Sequence, residues 1–292
     1  MKSIVKVFAF ICCLWMIQAQ AVLAQPIRIV AAENFYGDIA QQIGGASVLV
    51  TSILVNPEQD PHLFEASVST AKALTGAKIA IYNGLGYDQW MKKLLSTSKG
   101  KQRTEIIVGD LLQHTAGDNP HIWYEIATVS KFAQALATEL ESIDPANHDA
   151  YEVRLKDFQR SLVPLTDKIA ALKKLHAGLV VTATEPVFGY MADALGMDMR
   201  NGAYQLAIMN DTEPSASDVI KMEQDIKGHQ AKVLFYNSQA SNLSAQKMKK
   251  LALASKVPVV GVTETLPPGK HYQNWMLDQL LKLESSLSKA AQ

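Results

Sequence analysis

The chain predicts an α/β fold: two βα lobes with parallel sheets, joined by one long backbone helix. Three observations carry that expectation. Short β-branched runs alternate with longer segments of helical periodicity, the pattern of parallel βα units. One stretch, 149–175, breaks the alternation, being long, rich in Lys, Leu, Asp and Gln, and apolar at helical spacing. The alternation then resumes for a second lobe of similar size.

In the first half, strand-like runs fall at 27–31, 48–54, 79–82 and 105–108. Helical patterns separate them at 35–43, at 67–74 and, after the Asn83-Gly84-Leu85-Gly86 turn, at 87–95. The stretch 149–175 reads as one helix bent near Pro164, since proline removes a backbone donor and crowds the preceding turn. Beyond His176-Ala177-Gly178, strand runs recur at 179–184, 233–236 and 257–262, each followed by a polar turn and helical sequence. The expected organisation is a signal peptide over 1–24, an N-terminal lobe over 25–147, a linker helix over 148–177 and a C-terminal lobe over 178–292. Two such lobes leave a cleft between them, and small ligands favour the carboxyl ends of parallel strands there.

Composition narrows the function. With 48% hydrophobic and 19% charged residues in 292, the chain is neither disordered nor fibrous. Its 28 basic and 28 acidic groups lack the basic excess of a dedicated nucleic-acid binder. At the N-terminus, Lys2 and Lys6 precede an apolar run over 7–17, too short for a permanent membrane span, and Val22-Leu23-Ala24 suits cleavage before Gln25. Cleavage removes both lysines, leaving 26 basic against 28 acidic groups, net −2. It also removes Cys12 and Cys13, the only cysteines, so chemistry falls to imidazole, carboxylate, hydroxyl or backbone. Ala9-Phe10-Ile11 ahead of Cys12 lacks the small residues of a lipoprotein site, so the expected product is soluble in the periplasm, with no lipoprotein cysteine.

Four residues stand at strand ends. His62 lies in the Asp60-Pro61-His62 loop, His121 in Asn119-Pro120-His121-Ile122-Trp123, Glu185 just before Pro186, and Glu264 within Gly261-Val262-Thr263-Glu264. With both sheets parallel, all four face one cleft, two from each lobe. Two imidazoles and two carboxylates form a set suited to a divalent transition metal. The prolines before His62 and His121 stiffen both loops and favour preset geometry. Singly, each histidine also fits a solvent-exposed or capping role, and each glutamate a helix N-terminal charge. His114, His148, His176, His229 and His271 fall in turns or at a helix end and read as structural or surface residues.

On these motifs the mature chain resembles the metal-binding solute-binding proteins of bacterial ABC importers, the zinc/manganese-type family called cluster A-I. The likeness includes Ala31-Ala32-Glu33-Asn34-Phe35-Tyr36, the Asp-Pro-His loop, Asn83-Gly84-Leu85-Gly86 with Trp90, the Asn-Pro-His-Ile-Trp motif, and Phe188-Gly189-Tyr190 after Glu185. It implies a metal site in the interlobe cleft with His62, His121, Glu185 and Glu264 as ligands, Glu264 replacing the family's usual aspartate. It also implies a rigid helix bridging the lobes, no catalysis, and partners in an inner-membrane permease and its ATPase, with the receptor a monomer. A two-carboxylate set without a His-rich loop favours Mn2+ or Fe2+ as cargo, with Zn2+ close behind. Ligation needs neutral imidazole, so affinity is expected to weaken below about pH 6.5. A metal-dependent hydrolase is the rival reading, but neither a His-Glu-x-x-His segment nor a Gly-x-Ser-x-Gly elbow is present. An adhesion or scaffold protein using the same fold is the other.

Overall fold

The computed structural model describes residues 25–57, 64–98, 103–115 and 117–290. His62 and the whole 1–24 segment lie outside the described residues.

The N-terminal lobe is built on β1 (Ile27–Glu33), β2 (Val48–Leu54), β3 (Ile79–Tyr82) and β4 (Thr104–Ile107), all parallel, in the order β2-β1-β3-β4. Its crossovers are α1 (Asn34–Gly44), α2 (Val68–Ala73) and α3 (Gln89–Thr97), followed by α4 (Ile126–Ile143). Strand β3, buried at every position, reads as a continuous apolar run because helices cover both faces of a parallel sheet. The face of α4 formed by Val129, Phe132, Ala133, Leu136, Ala137 and Leu140 repeats at three- and four-residue intervals and is buried.

The expected long helix is two helices in series, α5 (His148–Ser161) and α6 (Val163–His176), with Leu162 between them. Pro164 sits in the first turn of α6, where a missing N–H costs nothing. The two halves serve different neighbours, α5 packing on α1 and α4 and α6 on the C-terminal helix α11 (Tyr272–Ala290).

The second lobe repeats the plan. Strands β5 (Val180–Ala183), β6 (Asp198–Arg200), β7 (Leu234–Asn237) and β8 (Val259–Val262) are parallel, in the order β6-β5-β7-β8. Their helices are α7 (Gly189–Ala194), α8 (Gly202–Met209), α9 (Ala216–Lys227) and α10 (Leu243–Ala254). The edge strand β6 escapes a reading from periodicity because three residues, Asp-Met-Arg, carry too little pattern.

One hydrophobic core runs through both lobes and joins them. Phe35 packs against Trp123 with ring centroids 4.7 Å apart and against Trp275 at 5.8 Å, while Phe188 stacks on Phe235 at 4.2 Å and meets Tyr124 edge-on at 5.7 Å. Each fully buried aromatic of this size contributes roughly 1.5 to 3 kcal/mol. Polar ties cross the same interface. Asn34 donates to the Leu266 carbonyl at 2.8 Å and accepts from the Leu266 N–H at 2.9 Å, and the Tyr272 hydroxyl donates to the Trp123 carbonyl at 2.6 Å. Among the described residues, no helix is long and apolar enough to cross a membrane.

Candidate metal site

The site is assembled from strand ends. The loop after β4 carries Asn119-Pro120-His121 and turns into a 3-10 turn, Ile122–Tyr124, rather than opening directly into a helix. Asn119 shapes that loop, its Oδ1 accepting from the His121 backbone N–H at 3.1 Å and from the ring Nδ1 at 2.7 Å. With Nδ1 committed to Asn119, Nε2 is the ring nitrogen left to face Glu264 Oε2, 3.2 Å away. The same Asn119 side chain donates to the Pro186 carbonyl at 2.7 Å, tying the loop to the residue after Glu185. Gly189 permits that approach, since a Cβ there would lie 2.7 Å from Asn119 Nδ2.

His121 and Glu264 are fully buried and Glu185 nearly so. The rings of Trp123 and Tyr87 flank the imidazole with centroids 5.1 and 6.0 Å away, which keeps water off it. Tyr87 also donates its hydroxyl to Glu264 Oε2 at 3.0 Å. Burial, then the Glu264 carboxylate, push the Tyr87 hydroxyl well above its usual range, so it keeps the proton that it donates to Glu264. Tyr87 is placed by the Asn83-Gly84-Leu85-Gly86 turn. There the Asn83 and Gly84 N–H groups donate to Asp88 at 2.5 and 2.9 Å, and Gly84 adopts φ 79°, a conformation that suits glycine.

Beneath this turn lies a second pair of acids. Glu33 ends β1 and is buried beside Asp88. Burial and then the Asp88 charge raise the Glu33 carboxyl well above the usual carboxylate range, while burial raises Asp88 to about 6 against the pull of the Gly84 and Asn83 N–H groups.

On the second lobe, strand order decides the geometry. Strand β7 lies between β5 and β8, so its last residue, Asn237, stands between the residues that follow its two neighbours. Asn237 Nδ2 donates to Glu185 Oε2 at 3.1 Å and to Glu264 Oε1 at 2.6 Å. Gln239 completes the support, its Oε1 accepting from the Glu264 backbone N–H at 2.6 Å and its Nε2 donating to Thr265 Oγ1 at 3.0 Å.

Of the four expected ligands, the structure thus brings His121, Glu185 and Glu264 into one buried cluster, and His62 lies outside the described residues. Among the described residues, no three His, Cys, Asp or Glu side chains make a metal-binding group by themselves. The sequence reading missed Tyr87, Asn237 and Gln239 as members of the site. Asn237 had a legible signal, because it ends its strand as Glu185 and Glu264 follow theirs. The position of β7 between the other two was not legible.

Two parallel-sheet lobes meeting over a buried imidazole and two carboxylates have the architecture of a solute-binding protein with donors suited to an ion. The chain belongs to the family described as zinc-uptake complex component A, periplasmic, whose model matches residues 29–286. Among curated relatives it is 24% identical to the manganese ABC transporter substrate-binding lipoprotein PsaA of Streptococcus anginosus, with 92% of each chain covered. It is 26% identical to the manganese-binding lipoprotein MntA of Bacillus subtilis, over 75% of this chain and 74% of the relative. Among solved structures, the periplasmic zinc binding protein TroA from Treponema pallidum superposes with a TM-score of 0.76 at 19% identity, covering 90% of this chain and 99% of that one. The family is one of transport substrate-binding proteins rather than enzymes, which sets the hydrolase reading aside.

The relatives also correct one expectation. A soluble periplasmic product with no lipoprotein cysteine was expected from the large residues ahead of Cys12, whereas PsaA and MntA are named lipoproteins. Residue size before a cysteine is a weak local signal, and the relatives' names overturn the exclusion drawn from it.

Proposed function

We propose that this protein captures a divalent transition metal, manganese, zinc or iron, between its lobes and delivers it, as a monomer, to the membrane permease of an ABC importer driven by its ATPase. The observation that carries this reading is the 3.2 Å approach of His121 Nε2 to Glu264 Oε2 in a fully buried setting, with Glu185 held beside them through Asn237. His62, His121, Glu185 and Glu264 are the proposed ligands. Four protein ligands close the ion off from water, which suits a carrier, whereas a catalyst keeps a position open. The two-carboxylate set favours manganese or ferrous iron. Zinc nevertheless outranks both in intrinsic affinity at nearly any such site, so binding in the test tube does not by itself identify the cargo.

Names of relatives that read manganese, zinc and iron support the metal class. The lipoprotein names bring a lipid tether into the proposal; Cys12 and Cys13 are the chain's only thiols, and a tether on either replaces the cleavage before Gln25 expected from the sequence. The test is metal analysis and calorimetric titration of the purified protein with Mn2+, Fe2+ and Zn2+, alongside His62→Ala, His121→Ala, Glu185→Ala and Glu264→Ala. Binding no tighter than micromolar in the wild type, or variants that bind as tightly as wild type, would refute the reading. Metal uptake by a deletion strain under single-metal starvation identifies the physiological cargo.

A further inference from the structure

His121 and Glu264, one from each lobe, are both held from the same turn. Asn83 Nδ2 donates to the Pro120 carbonyl at 2.9 Å, one residue before His121, and the Tyr87 hydroxyl donates to Glu264 Oε2 at 3.0 Å. The Asn83 amide is oriented for this, because its Oδ1 accepts from the Tyr36 hydroxyl at 2.6 Å. Between Asn83 and Tyr87 the backbone bends through three successive left-handed residues, Gly84 at φ 79°, Leu85 at φ 55° and Gly86 at φ 85°. Leucine disfavours that region, since its Cβ crowds the following carbonyl oxygen, so the turn needs fastening. Asp88 supplies it: Oδ2 accepts from the Asn83 N–H at 2.5 Å and Oδ1 from the Gly84 N–H at 2.9 Å, while the Tyr87 N–H closes on the Gly84 carbonyl at 3.0 Å. Both carboxylate oxygens are used, and an amide in their place offers one acceptor only. Asp88 is buried, and although burial raises it to about 6 it is ionised at pH 7.5.

We propose that Asp88 is a positioning residue for the metal site. By fastening the turn from Asn83 to Asp88 it sets the place of the His121 loop through Asn83 and of the Glu264 carboxylate through Tyr87. A carboxylate outside the ligand set thus acts on a donor of each lobe.

This inference rests on the function proposed above, and its test separates the two. Metal-free wild type, Asp88→Asn, Tyr87→Phe and the double variant are titrated with Zn2+ and Mn2+ at pH 7.5, visible absorption of the Co2+ forms is recorded, and thermal melting without metal checks folding. Asp88→Asn is expected to bind both ions about tenfold more weakly, with a shifted Co2+ spectrum. Because Asp88 acts in part through Tyr87, the double variant is expected to lose less than the product of the two single losses. Three outcomes overturn the positioning role alone: Asp88→Asn binding within threefold of wild type, an unchanged Co2+ spectrum, or losses that multiply in full, as removal of a distant charge or of stability would give. Asp88→Ser replaces Asp88→Asn if that variant does not fold. Tyr87→Phe, which loses one hydroxyl and keeps the ring, overturns the role in either case if it binds within threefold of wild type. A wild type that binds none of the three ions removes the function reading, and the role of Asp88 with it.

Discussion

Replacing Asn119 by alanine tests whether His121 is held as a ligand. Asn119 makes three bonds that the variant loses: to the His121 Nδ1–H at 2.7 Å, to the His121 backbone N–H at 3.1 Å and to the Pro186 carbonyl at 2.7 Å. The first fixes the tautomer that leaves Nε2 facing Glu264, so its loss frees the ring to rotate and to move its proton to the metal-facing nitrogen. Outer partners of metal-bound histidines are worth about 10- to 100-fold in affinity, or about 1.4 to 2.8 kcal/mol. The other two bonds act on stability, at about 1 kcal/mol each. The expected result is therefore a 10- to 100-fold weaker Kd for Zn2+ by calorimetry at pH 7.5, with a urea midpoint lowered by an amount matching about 2 kcal/mol. Asn119→Asp separates the two effects, because a carboxylate still accepts from the ring and the backbone N–H but cannot donate to Pro186. That variant is expected to keep metal affinity within about threefold of wild type while losing about 1 kcal/mol of stability. An Asn119→Ala protein that binds Zn2+ within threefold of wild type would refute the reasoning, because His121 would then need no fixed ring orientation.

Other perturbations reach other parts of the molecule. Folded Asp88 holds a proton that the unfolded chain releases between about pH 4 and 6, so its contribution to stability falls as pH rises through that range, on the order of 3 kcal/mol for a shift from 3.8 to about 6, and Glu33, raised well above the carboxylate range, acts in the same direction. Glu33→Gln should flatten that part of the urea-midpoint profile and raise the midpoint at pH 7, and an unchanged profile would remove the buried pair from the account. Phe188→Ala, which vacates the stack with Phe235 and the contact with Tyr124, is expected to cost about 3 to 5 kcal/mol in denaturant unfolding, and a loss under 1 kcal/mol would contradict a shared interlobe core. Gly189→Ala should weaken metal binding in the same direction as Asn119→Ala, because its Cβ would sit 2.7 Å from Asn119 Nδ2; equal affinity would show that the loop yields there without consequence. Metabolic labelling with a fatty acid should mark the wild type and not a Cys12→Ser, Cys13→Ser double variant, and an unlabelled wild type would withdraw the lipid tether.

Local pattern in the chain already determines much of this. The β-branched runs at 48–54 and 79–82 are strands to the residue, as β2 and β3: β3 is a buried, continuous apolar run, whereas the edge strand β2, buried only at Val48 and Leu54, is legible from its β-branched residues. His121, Glu185 and Glu264 are legible because each follows a strand run, and in a parallel sheet those ends lie on one edge. Tertiary structure decided what local pattern does not encode. The order β6-β5-β7-β8 puts Asn237 between two carboxylates that are 79 positions apart in sequence numbering, from Glu185 to Glu264, and no spacing rule predicts which strand lies in the middle. The turn holding Tyr87 reaches Glu264 across the interlobe contact, and the tautomer of His121 follows from a loop contact with Asn119. The types of donor are therefore written in the chain, whereas their orientation depends on residues that meet only when both lobes close around one core.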